Sequence, residues 1–170
     1  MNTKKSRGPK KAIDVKKYDV NMQGQAADDT SMKWLDPHEP PLTLAGFAWY
    51  ATDRVYRRMP VKPAHKITEA VDMLANCTAG GQIRLQTNSR KMALRVQLRA
   101  REDMPHMAPT GQVGFDWYVG PAGGRQYFFG VTKTFDRVQS DYESAMFEFP
   151  QAAWRDVTIN FPLYQGVNEV

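Results

Sequence analysis

QIRLQTNSRKMALRVQL, running from Gln82 to Leu98, decides the fold. In its second half Met92, Leu94, Val96 and Leu98 alternate with Ala93, Arg95 and Gln97, and Arg99 continues the polar set. A period of two sends successive side chains to opposite faces of an extended chain, so one face is buried and the other wet. That is the signature of a strand in an antiparallel sheet. Asn88 to Lys91 is a turn signal, which makes 82–87 and 92–100 two strands of one all-β unit.

The same period continues towards the C-terminus. Strands are predicted near 113–119, 125–132, 142–149 and 154–161. They are separated by the Pro and Gly residues of 105–111, by GPAGG (Gly120 to Gly124) and by FDRVQSD (Phe135 to Asp141). Towards the N-terminus the period changes. Ile67, Ala70, Val71, Leu74 and Ala75 recur at i, i+3, i+4, i+7 and i+8, predicting one short amphipathic helix near 67–76 that ends at Asn76 and TAGG (Thr78 to Gly81). Before it, LTLAGFAWY (Leu42 to Tyr50) concentrates strand formers after Trp34, Leu35 and the Pro-rich DPHEPP (Asp36 to Pro41). Parallel α/β architectures need a helix between successive strands, and only one helix is available. The expectation is an antiparallel β-sandwich, jelly-roll-like, with one short helix.

Residues 1–31 are polar and hold too few large apolar side chains to bury anything, so they are expected to be a flexible lead-in to a single domain over 32–170. The net charge of +5 resides there. Seven Lys and Arg within residues 1–17 face Asp14 alone, while residues 18–170 carry a net charge of −1. A nucleic-acid reader concentrates cations on a folded face among stacking aromatics, so a solubilising tail is the expectation and no nucleic-acid partner is expected. No apolar run approaches the roughly 20 residues of a membrane span and no secretory signal is visible, so a cytoplasmic chain without a membrane partner is expected. Cys77 is the only cysteine among the 170 residues, which excludes an internal disulfide and a site built on paired cysteines.

The chemistry-bearing residues are sparse. No G-x-S-x-G is present, and Ser89 lies in a turn-like TNSRK where its hydroxyl is expected to bond local backbone. GGQIR and GPAGGR lack the spacing of phosphate-binding loops. Met104, His106 and Met107 cluster as soft donors, but one histidine is an insufficient set, and His38 and His65 lie in Pro-bounded loops without ligand spacing. Neither a metal nor a cofactor is expected, and no catalytic residue is assigned. Trp34, Trp49, Trp117 and Trp154, with Tyr118 and Tyr127 to Phe129, could form a platform for sugar rings. Alternation argues otherwise for Trp117, which shares a face with Val113, Phe115 and Val119 and is expected inside, while Asp116 and Tyr118 share the opposite face.

TAGGQIRLQTNSRKMALRVQL (Thr78 to Leu98), MPHMAPTGQVGFDWYV (Met104 to Val119) and FPLYQGV (Phe161 to Val167) resemble, in order and spacing, the N-terminal domain of GDSL/SGNH-type lipases and acylhydrolases, marked by a G-x-D-L-Y motif. RRMP (Arg57 to Pro60) is similar to an earlier element of that pattern. Leu85 stands where Phe is usual, and Trp117 replaces the motif's Leu. The resemblance covers about Gly46 to the C-terminus. It implies a β-sandwich placed ahead of a hydrolase domain that carries the catalytic serine, aspartate and histidine and is absent here. Gly114, Phe115, Asp116, Trp117 and Tyr118 carry the motif, and His106, Asp116, Trp117 and Tyr118 are the candidates for ligand or interdomain contact. Asp116 is expected to be structural, held by amides of the 105–111 turn or by Arg95 or Arg99.

Two functions follow: a non-catalytic accessory domain partnering an SGNH hydrolase domain in cis, or an independent carbohydrate-binding module. An accessory domain should show an exposed apolar patch. A sugar binder should show coplanar exposed aromatics.

Overall fold

The structure, a computed structural model, describes residues 32–100, 104–132 and 140–170. The tail of residues 1–31 and most of the FDRVQSD turn lie outside the described residues. Among the described residues eight strands form two antiparallel sheets. The larger contains β1 (Thr43–Ala45), β2 (Gln82–Thr87), β7 (Arg155–Asn160), β4 (Asp116–Val119) and β5 (Tyr127–Val131), in that spatial order. The smaller holds β3 (Lys91–Leu98) between β6 (Asp141–Glu148) and β8 (Val167–Glu169). The two sheets make the expected sandwich.

The alternation read from the sequence is the alternation observed. Leu94, Val96 and Leu98 are buried while Arg95 and Gln97 are exposed. They meet Ile83, Phe115, Trp117, Val157 and Ile159 from the larger sheet. Each such side chain, fully buried, contributes roughly 1.5–3 kcal/mol relative to exposure. Phe161 closes one end of the core, its ring 5.0 Å from those of Phe47, Tyr56 and Phe115.

Three departures have local causes. LTLAGFAWY forms only the three-residue β1, because Gly46 turns the chain at φ 83° and Tyr50–Asp53 then closes a single helical turn, α1. A second unanticipated turn of helix, α3 (Pro109–Val113), occupies the start of the expected strand at 113, with Pro109 preset for its first position. The expected helix is present as α2 (Glu69–Leu74), capped by the Thr68 hydroxyl accepting from Val71 N–H. Its apolar face, however, does not dock: among the residues of the expected pattern only Ala75 is buried, and Val71, Met73 and Leu74 are 43%, 64% and 46% exposed. What fixes α2 is polar. The buried Arg57 donates to Asp72 Oδ1 at 2.6 Å, to Asn76 Oδ1 at 2.8 Å and to the Asp72 and Met59 carbonyls.

Candidate functional site

The GFDWY motif spans the entry to β4 and is split by the strand's two faces. Inward, Phe115 is fully buried and Trp117 is 3% exposed, as alternation requires. Gly114 is buried where a Cβ would lie 2.3 Å from the Thr110 carbonyl oxygen, so close passage of α3 requires glycine. The Phe115 N–H donates to the Thr132 hydroxyl at 2.8 Å, which ties β4 to the end of β5.

Outward, Asp116 and Tyr118 join a polar array across the larger sheet. Gln82, Asn160 and Asp116 are in register on β2, β7 and β4. Arg84 donates to Gln82 Oε1 at 2.9 Å, Gln82 to Asn160 Oδ1 at 2.8 Å, and Asn160 to Asp116 Oδ2 at 3.4 Å. In the adjoining row Gln126 donates to the Thr158 hydroxyl at 2.8 Å. Desolvation and then the neighbouring Asp116 carboxylate hold the Tyr118 phenol above its usual range. The array can hydrogen-bond a partner surface, but it holds no nucleophile paired with a base.

Asp116 therefore has partners other than those expected. Arg95 is bonded to Glu143 at 2.7 Å and stacked 4.2 Å from the Trp34 ring, and Arg99 donates to Asn76. Both arginines belong to the other sheet or its margin. The turn at 104–108 is instead organised by Gln112, which bonds Met104 and Met107 backbone atoms. His106 is exposed on that turn. The Ser89 N–H donates to the Thr87 hydroxyl, a local turn contact. Among the described residues no three His, Cys, Asp or Glu side chains gather as a metal site would need.

One constellation escaped the sequence. His38 Nδ1 lies 2.5 Å from Asp36 Oδ1, and its Nε2 lies 2.7 Å from the Tyr56 hydroxyl. A carboxylate only accepts, so Nδ1–H donates to Asp36, while Nε2 and the Tyr56 hydroxyl share the second bond. The His38 ring also stacks on Tyr50, 4.4 Å between centroids. Asp36 is held below the usual carboxylate range, chiefly by the His38 backbone N–H, while burial pushes the Tyr56 phenol far above its usual range. A buried phenol so hard to ionise is no nucleophile. The chain of bonds fastens residues 36–38 to the core, and no motif spacing marks it because Tyr56 lies 18 residues from His38.

The described residues form a two-sheet antiparallel sandwich whose GFDWY motif spans the entry to β4. The family model for GxDLY, the N-terminus of SGNH hydrolase-type esterases, matches residues 32–170. The chain belongs to this family. Its fold matches that of a GDSL-like lipase from Bacteroides ovatus ATCC 8483, with a TM-score of 0.63 and 19% identity over 75% of this chain. The match spans 36% of the lipase chain, about a third of its length. No curated protein sequence matches.

Proposed function

We propose that this chain is a non-catalytic accessory domain of an SGNH-type ester hydrolase, docking on the catalytic domain and shaping access to it. The carrying observation is the apolar face that α2 leaves uncovered. Val71 and Leu74 stand exposed on it, and Leu163 and Tyr164, in the segment bonded to the chain just after the helix, are 53% and 43% exposed. The two segments are fastened together: Thr78 donates to the Pro162 and Gln165 carbonyls at 3.1 and 2.9 Å, and Cys77 Sγ to that of Tyr164. A helix kept amphipathic yet unpacked is an expected docking element. The place of such a domain at the N-terminus of SGNH esterases supports the same partner.

The carbohydrate reading gains no comparable support. Tyr118 and Phe128, the outward aromatic pair on the polar array, cross at 67° rather than lying coplanar. The test is a calorimetric titration of this domain with an SGNH hydrolase domain of the family, beside soluble oligosaccharides. Saturable binding to the hydrolase domain, lost in a Leu74→Ser/Tyr164→Ser double variant with an unchanged thermal midpoint, is expected. Binding of oligosaccharide alone would reverse the conclusion.

A further inference from the structure

A groove of about 480 Å³ opens between the two sheets, away from both the GFDWY face and α2. Its floor is Ile83, Val96 and Ile159, almost fully buried, and its walls include Leu42, Leu85 and Met92, half-buried. The strap of residues 33–37 roofs it with Trp34 and Leu35. That roof is anchored at both ends, by the Trp34 ring under Arg95 and by the Asp36, His38 and Tyr56 chain of hydrogen bonds.

Size and lining are those of a small-molecule site, since such sites run to roughly 300–1,000 Å³ and are mostly apolar. The shape narrows the ligand further. The lining follows β3 from Met92 to Gln97, about 17 Å of strand at ~3.4 Å per residue, and is confined between two sheet faces. A lining that runs along one strand suits an extended chain rather than a fused ring system. Charge is confined to the mouth, where Asp36, Asp141 and Glu169 outnumber Lys33 and Arg95, and Arg95 is already bonded to Glu143. An anionic head group meets repulsion there.

We propose that this groove binds a linear alkyl chain carrying an uncharged head group, with the chain inside and the head group at the mouth. The site is independent of the hydrolase reading, because it is complete within this chain and is tested on this chain alone. The experiment is a calorimetric titration with the 1-alkanols from hexanol to decanol, and with decanoate. Each added methylene should tighten binding about fourfold, from the transfer free energy of a buried CH₂. Decanoate should bind more weakly than decanol. Leu85→Trp, which fills one wall, should weaken decanol at least tenfold while the thermal midpoint holds; should that variant not fold, Leu42→Trp fills the groove from β1's side. Affinity independent of chain length, tighter binding of decanoate, or full binding by a folded filled variant would overturn the proposal. So would a dimer that Trp34→Ala converts to monomer, since a second copy would then be the occupant.

Discussion

Trp117 and Gly130 stand opposite each other on β4 and β5, and a Cβ on Gly130 would lie 2.7 Å from Trp117 Cζ2. The indole fills the space that a side chain on Gly130 would need. The family motif has Leu at this position, so the larger ring of this chain is accommodated by its neighbour's smallness. Buried Trp117 Nε1 also has no hydrogen-bond partner among the described residues, a further cost of the indole here.

Gly130→Ala should therefore cost about 1–3 kcal/mol by overpacking. In a Trp117→Leu background the same change should cost at least about 1 kcal/mol less, because the clashing ring is gone. A denaturant double-mutant cycle measures this. Strictly additive effects would show that the contact is not the reason for the glycine.

Asp116→Asn should move the Tyr118 phenol back towards its ordinary range, since the carboxylate is one cause of its elevation. A phenol raised in the folded state contributes stability that is present below the unfolded pKa near ~10 and lost as pH rises through the folded value. The wild-type midpoint should thus fall above about pH 10, and the variant's loss should be smaller. Phenolate absorbance and thermal melts between pH 8 and 12 report it. Asp116→Ala, which strands the Asn160 amide and removes the carboxylate beside the Tyr118 phenol, should cost about 1 kcal/mol.

Arg57→Lys should destabilise the domain by about 2 kcal/mol. The guanidinium reaches Asp72, Asn76 and two carbonyls from a buried position, and a single ammonium cannot span that fork. The loss should concentrate at α2, where amide exchange of Ala75 and Asn76 would quicken before the strands respond. Uniform quickening would mean that the helix is held by something else.

The chain alone should turn over short nitrophenyl esters no faster than its Ser89→Ala variant. Ester hydrolysis needs nucleophile, base and oxyanion donors acting together, and losing one forfeits most of the rate. Activity that Ser89→Ala abolishes would make the domain an enzyme.

The strands were legible because β2 and β3 bury one apolar face each, so hydrophobic alternation and pairing carry the same information, and on β7 Val157 and Ile159 keep that period around a polar Thr158 that is buried as well. Trp117's inward position follows from that period alone. The helix near 67–76 was legible too, but not the exposure of Val71 and Leu74, because amphipathicity marks a surface suited to burial but not what buries it. The partners of Asp116 were missed because register across three strands brings Asn160 beside it from 44 residues away, a distance no local pattern records. The groove was likewise invisible, since its roof is anchored by a histidine and a tyrosine whose spacing matches no motif.

The position of β7 in the larger sheet governs the time course of folding. It lies between β2 and β4, so both remain without this partner until residues 155–160 arrive, and β8 reaches β3 later still. Neither sheet can close locally. Pairings that join residues about 70 apart make loop closure the slow step, and a nascent chain leaving the ribosome exposes the edges of β2 and β4 until nearly the whole domain has emerged. Those two edges are where a chaperone would hold this protein during synthesis, and where truncation before Arg155 would leave unpaired strands prone to aggregation.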